Sequence, residues 1–280
     1  MGEGIGRVRA AKENTVAADR VDRSRHNAVV MLAGDGVSTR IIYSALKERI
    51  PINTVVLESP VSRLELLRRR RRRFGLRKVA GQVLFQMVIA RLLRAAARSR
   101  IREILQEADL REVTIEPTAV RRVRSINSTD VIALLRLLSP RVVLVNGTRI
   151  ISDDVLKCVN AVFINVHVGI TPLYRGVHGA YWALVEGDHQ ACGVTVHVVD
   201  SGIDTGGIIE QALVRPTACD NFATYPVLQT VAALPLIERA VNAALTGNLR
   251  VRRAPEGKSK LWTHPTAGEY IWNRLRFGVK

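Results

Sequence analysis

Ala161-Val162-Phe163-Ile164-Asn165-Val166-His167-Val168-Gly169-Ile170-Thr171-Pro172-Leu173-Tyr174-Arg175-Gly176 passes within a few residues from an apolar run to a cluster of polar side chains and turn formers. Residues 161–164 carry β-favouring Val, Phe and Ile, the composition of a buried strand. Asn165 and His167 then fall at its C-terminal end, two residues apart, and project from the same side of an extended chain. The C-terminal edge of a parallel sheet is where open α/β folds place ligands. A third polar group, Asp204, comes from Ser201-Gly202-Ile203-Asp204-Thr205-Gly206-Gly207, a glycine-rich turn after the strand-like stretch 193–199. An amide can donate to a developing oxyanion, and an imidazole can exchange a proton near neutral pH. A carboxylate can orient that imidazole or take the proton itself. The cluster holds no Ser or Cys nucleophile, so the chemistry implied is acyl transfer without a covalent intermediate. Taken singly, each of the three is also an ordinary turn or loop residue.

Working outward, residues 27–33 form an apolar first strand, followed by the loop Gly34-Asp35-Gly36-Val37-Ser38-Thr39-Arg40. Ser38 is expected to cap a helix running through Glu48. A glycine-rich strand-to-helix loop can hold phosphate on its N–H groups, although this one is neither G-x-G-x-x-G nor a Walker A. Residues 54–57 and 141–145 read as further strands, and 128–138 as a capped apolar helix. Strand–helix alternation of this kind predicts an α/β fold with right-handed crossovers and a mostly parallel central sheet flanked by helices. Residues 221–246 read as a long helical region interrupted at Pro226 and Pro235. The stretch 248–280, with Trp262, Tyr270 and Trp272, is expected to pack on the body with little regular structure.

The motif Asn165-Val-His167 with Pro172-Leu-Tyr174-Arg175-Gly176, then Trp182-Ala-Leu-Val-Glu-Gly187-Asp188, Gly193-Val-Thr-Val-His197 and Gly202-Ile-Asp204-Thr-Gly206 resembles the folate-dependent N-formyltransferases. That family includes glycinamide ribonucleotide, methionyl-tRNA and sugar N-formyltransferases. The match is dense from about 142 to 216 and thinner back to 27. The resemblance implies a Rossmann-like formyltransferase fold, 10-formyltetrahydrofolate as co-substrate, no metal, and a primary amine as acceptor. Asn165, His167 and Asp204 would be catalytic. Asn165 and protonated His167 would hold the oxyanion, while Asp204 orients His167 and takes up the amine proton. Thr148, Arg149, Ile150 and Ile151, with Asp200, Ser201, Gly202 and Ile203, match the family's folate cleft. Tyr174, Arg175 and Gly176 would face the acceptor, and the Thr171–Pro172 bond would be cis. His197 would border the site or lie in the core. The 145–151 and 169–172 segments look closer to members acting on amino sugars or specialised metabolites, which favours a small amine, sugar- or nucleotide-linked. The alternatives are a glycinamide ribonucleotide or methionyl-tRNA acceptor, a hydrolase using water with the same triad, and a non-catalytic folate-binding module.

Composition bounds the rest. A chain of 280 residues with 47% hydrophobic content can bury a sizeable core. Cys158, Cys192 and Cys219 form no CxxC and have no metal-ligand spacing, which fits a reduced, cytoplasmic setting. Residues 1–26 lack an apolar h-region and are expected to be a disordered extension rather than a secretory signal. The catalytic domain is then expected over 27–247, with an insertion at about 63–124 and a C-terminal tail at 248–280. Net charge is +17, and between residues 63 and 124 there are 18 Lys/Arg against 6 Asp/Glu, with Arg68 to Arg73 unbroken. Three readings of this insertion stay open. They are a solvated helical cover for the sheet, a polyanion site, or a helix at an anionic membrane surface. The apolar stretch 79–90 is too short and too flanked by charge for a span. A nucleic-acid partner is not expected: no aromatic residues interleave the arginines, and family members acting on methionyl-tRNA draw on a C-terminal β-barrel that 248–280 is too short to form. Oligomeric state is not legible.

Overall fold

The computed structural model describes residues 28–110, 114–255 and 258–280. The expected extension over 1–26 lies outside them. The elements are β1 (Val29–Gly34), α1 (Val37–Leu46), β2 (Ile52–Glu58), α2 (Arg63–Phe74) and α3 (Leu76–Leu84). A π-helical turn (Phe85–Ile89) leads into α4 (Ala90–Ala96), α5 (Arg98–Glu107) and β3 (Val120–Val123). Then come α6 (Thr129–Leu138), β4 (Val142–Asn146), α7 (Asp153–Leu156), β5 (Val162–His167), β6 (Tyr174–Gly176) and α8 (Gly179–Val185). The chain closes with β7 (Gly193–Val198), β8 (Ile208–Leu213), α9 (Tyr225–Leu245), β9 (Lys260–Trp262) and α10 (Ala267–Phe277).

The described residues form a seven-stranded sheet in the order β3-β2-β1-β4-β5-β7-β8. The first five strands are parallel, and β7 and β8 join antiparallel. The central strands are buried on both faces, which is why they read as unbroken apolar runs rather than alternating ones. Alternation still assigns the faces. Val29, Met31, Val142, Leu144 and Ile164 pack under α1 and α9, against Ile42, Leu46, Leu236, Ile237 and Val241. Val30, Leu32, Val143, Val145 and Phe163 pack against Val131, Leu135 and Val155 of α6 and α7. Truncating a residue such as Leu144 to Ala would cost about 2–5 kcal/mol. Asn165 and His167 share the parity of Phe163 and carry its face beyond the apolar core.

Several local expectations differ from the structure. The helix after β1 begins at Val37 with Gly36 in the capping position. Ser38 instead accepts a hydrogen bond from the Asn146 amide at 3.0 Å. α9 is one continuous helix: Pro226 sits in its first turn, where a missing N–H costs nothing, and the helix runs through Pro235. Burial of Ala233, Leu236, Ile237 and Ala240 around Pro235 outweighs its local penalty. The arginine-rich stretch is helical from α2 to α5, but its last residues form β3, which pairs with β2 at the sheet edge. Residues 248–280 are more regular than expected. β9 pairs in parallel with β6, and α10 opens on a reciprocal capping box between Thr266 and Glu269.

Candidate active site at the end of β5

The site forms where β5 and β7 end and the glycine-rich turn after β7 folds back over them. Asn165 and His167 on β5 lie opposite His197 and Thr195 on β7. Asp204 reaches the same place from the turn, with a backbone φ of 50° that Asp tolerates better than most residues. Asp200 holds this turn by accepting from the Gly202 N–H at 3.0 Å and the Thr205 hydroxyl at 2.7 Å. The Thr171–Pro172 peptide bond is cis. Gly169 is obligatory, because a Cβ there would lie 2.4 Å from the Tyr174 carbonyl oxygen and 2.6 Å from His167 Nε2.

The hydrogen bonds define which protons can move. His167 Nε2 donates to the Tyr174 carbonyl at 2.7 Å, and its Nδ1 lies 3.3 Å from Asp204 Oδ2. The same Oδ2 accepts from the Gly176 N–H at 2.9 Å. His197 Nδ1 donates to the Val198 carbonyl at 2.8 Å, so its Nε2 is the acceptor for the Asn165 amide at 3.0 Å. That Nε2 is 3.8 Å from Asp204 Oδ1. Burial holds the His167 imidazole below its ordinary range, with Asp204 and the Tyr174 carbonyl opposing. Burial works to raise the Asp204 carboxyl, but the two imidazoles beside it, His197 and His167, and the Gly176 N–H together keep it below its usual value. At neutral pH the pair is therefore a neutral imidazole beside a carboxylate. With Nε2–H committed to Tyr174, the one ring position able to gain a proton is Nδ1, which faces Asp204.

These groups open onto a cavity of about 530 Å³. Thr148, Arg149, Ile150, Ile151, Asp200, Gly202 and Ile203 line it together with Asn165, His167 and Asp204, whereas Ser201 is exposed outside it. Arg149 is tied into the wall: its Nε lies 2.9 Å from Glu58, and its guanidinium also donates to the Ser59 carbonyl at 3.2 Å. Buried Glu58 in turn accepts from the backbone N–H of Ile126 and of Arg149, each at 2.9 Å. Of Tyr174, Arg175 and Gly176, only Gly176 lines the cavity. The Tyr174 ring stacks on Trp262 and its hydroxyl donates to Asp188, while Arg175 donates to the Ile203 carbonyl.

Three further histidines belong here. His197 completes the Asn165 contact, a role that strand alternation alone does not separate from a core position. His178 and His264 are paired by a ring–ring hydrogen bond of 2.8 Å and line the cavity, His264 coming from the segment between β9 and α10. Burial keeps both neutral, lowering His178 well below its ordinary range and His264 to about 4. Nothing in the spacing of the sequence links residue 264 to residue 178. A second cavity of about 560 Å³, beside Gly34, Gly36 and Arg70, shares Ser38, Thr148 and His264 with the first. Among the described residues, no group of three or more His, Cys, Asp or Glu is placed to hold a metal ion.

The formyl transferase family matches residues 83–225, which takes in β4, β5, β7 and the whole motif. A methionyl-tRNA formyltransferase of Pelotomaculum thermopropionicum is 34% identical over 154 residues, covering 53% of this chain and 48% of that protein. The chain spans about half the length of the curated relatives it matches. Among solved structures, a 4-N formyltransferase from Francisella tularensis aligns with a TM-score of 0.53 at 12% identity, covering 85% of this chain and 76% of that one. HypX from Aquifex aeolicus in complex with tetrahydrofolic acid aligns with a TM-score of 0.52 at 14% identity, over 84% of this chain and 30% of that one. These two likenesses concern the fold. With the motif, the fold and the family match in agreement, the chain belongs to the formyltransferase family.

Proposed function

We propose that this protein transfers a formyl group from 10-formyltetrahydrofolate to the primary amine of a small acceptor, sugar- or nucleotide-linked. The observation that carries this reading is the His167–Asp204 pair at the end of β5, with Nε2 committed to the Tyr174 carbonyl and Nδ1 facing Oδ2 at 3.3 Å. The neutral amine attacks the formyl carbon and the carbonyl becomes an oxyanion. One Asn165 N–H goes to His197, and the second can serve the oxyanion. The amine proton passes to Asp204 and is shared with His167 Nδ1. Collapse of the intermediate breaks the bond to N10 of the folate, and the proton held by the Asp204–His167 pair passes to N10 as it leaves. Because both His167 nitrogens already face protein acceptors, its role is to hold that proton rather than to donate to the oxyanion.

The pterin of the donor would lie against the wall built by Thr148, Ile150, Ile151, Asp200, Gly202 and Ile203, a largely apolar surface. Arg149 stiffens this wall through Glu58. The second cavity, contiguous through Ser38, Thr148 and His264, gives the acceptor room beside Gly34, Gly36 and Arg70. The test is mass spectrometry of the full chain with 10-formyltetrahydrofolate and a panel of amino sugars and nucleotide-linked amines. An acceptor gaining one formyl group supports the reading. Formate released at the same rate with and without amine would instead make this a hydrolase.

A further inference from the structure

We propose that the face built by α2, α3 and α4 is a docking surface for an anionic lipid bilayer, on which the protein lies without spanning it. Leu76 to Ala96 is helical throughout, and by length and composition it could cross a membrane. Its inner stripe, however, is committed to this domain. Phe85 is fully buried, 4.9 Å from Phe222 and 5.2 Å from Tyr270, and the Gln82 amide donates to the His264 carbonyl at 2.7 Å.

The outer stripe is also apolar, which an ordinary helix on a soluble surface is not. Leu84 is 54% exposed, Met87 46%, Val88 46% and Leu92 66%. These positions fall at helical spacing on one side. The stretch that carries them is strongly basic: residues 63–98 hold twelve Lys/Arg and a single acidic residue, Glu65. Arg91, Arg94 and Arg98 rise beside the apolar stripe, and with Arg70, Leu67 and Met87 they line a groove of about 690 Å³ to which none of the described carboxylates contributes. α10 packs against α3 and adds exposed Ile271, Trp272 (64%) and Leu275, with Arg274 and Arg276 among them.

A surface that offers guanidinium groups and bare aliphatic side chains together matches one kind of partner. Headgroup phosphates take the arginines, and the acyl boundary takes the leucines and the tryptophan. A nucleic acid would satisfy the charge but leave the apolar stripe in water. A second copy meeting the same face would bring like charges together. Arg70 borders both this groove and the second cavity, but the residues tested below, Leu84, Met87, Arg91, Leu92, Arg94 and Arg98, line neither cavity of the catalytic proposal.

The experiment is vesicle flotation of the full chain with phosphatidylcholine alone and with phosphatidylcholine containing phosphatidylglycerol. The wild type, R91Q/R94Q/R98Q and L84S/M87S/L92S are compared, with circular dichroism confirming that all three fold. The wild type is expected to float with the anionic vesicles and not with the neutral ones. Neutralising three arginines should weaken partition on the order of a hundredfold. The apolar variant should lose flotation in high salt, where the electrostatic part is screened. Equal flotation on both vesicle types, no flotation of the wild type, or no change in either variant would overturn the proposal. So would sedimentation showing self-association that L84S/M87S/L92S abolishes, or tRNA binding that R91Q/R94Q/R98Q abolishes in a chain that never floats.

Discussion

The cavity at the end of β5 and the arginine-lined face of α2 to α4 treat polar groups in opposite ways. In the cavity the polar groups are partnered within the fold: Glu58 with Arg149, Asn165 with His197, His167 with Tyr174 and Asp204. On the helical face, guanidinium groups rise with no described carboxylate lining the groove beside them, and large aliphatic side chains stand in solvent. Buried groups must be paired or they destabilise the fold, so pairing there speaks of positioning. Exposed groups are under no such constraint, and a concentrated set of cations beside bare aliphatic side chains speaks of something outside the chain.

If the cavity is a positioned proton site, His167→Ala should have the largest effect. It should lower kcat/KM for formyl transfer by about 10²–10⁴-fold with the fold retained, as steady-state kinetics and circular dichroism would show. Next comes the inner stripe of the helical face, where Phe85→Ala should cost about 3–5 kcal/mol in denaturant unfolding. Glu58→Gln should follow at about 2 kcal/mol, since it removes a charge-assisted contact from Arg149 and leaves an acceptor for only one of the two backbone N–H groups of Ile126 and Arg149.

The buried histidines give the comparison a pH dependence. His167, His178 and His264 are all held below the ordinary imidazole value. Their neutral forms therefore favour the folded state above the unfolded pKa of about 6.5, and that stability is lost as pH falls toward the folded values. For His264, lowered to about 4, the contribution lost is at most roughly 3 kcal/mol. Urea titrations from pH 7 to pH 4 should show stability falling, and His264→Asn should flatten the curve. Formyl transfer should also fail on the acid side, once Nδ1 of His167 is already protonated. The smallest effect belongs to the outer stripe: Leu92→Ser should change stability by less than about 0.5 kcal/mol, against several for Phe85 on the same helix. A large loss at Leu92 would mean that the stripe is structural and the contrast between the two faces is false.

Much of the first region could be read from the residues. β1, β4 and β5 are continuous apolar runs because both faces of the central sheet are covered, and the Asn165, His167 and Asp204 motif sits at their C-terminal edge. The second region was harder. β3 carries two arginines between its valines because it is an exposed edge strand, so it disappears into the charge run around it. α10 did carry a legible signal, Thr266 with Glu269 just before an apolar-periodic segment. His264 carried none, since its place beside His178 depends on β9 pairing with β6 across 86 residues of chain. The wiring of His167 was likewise invisible, because its partner is the main-chain carbonyl of Tyr174.

The most direct test measures deformylated folate and N-formyl product together, for the wild type and for Asp204→Asn, with tetrahydrofolate binding followed in parallel. The wild type should form the two products in equal amounts and only when amine is present. Asp204→Asn should bind the folate normally and form neither. Wild-type turnover by Asp204→Asn, with folate bound equally well, would contradict the assignment of the His167–Asp204 pair as the proton site.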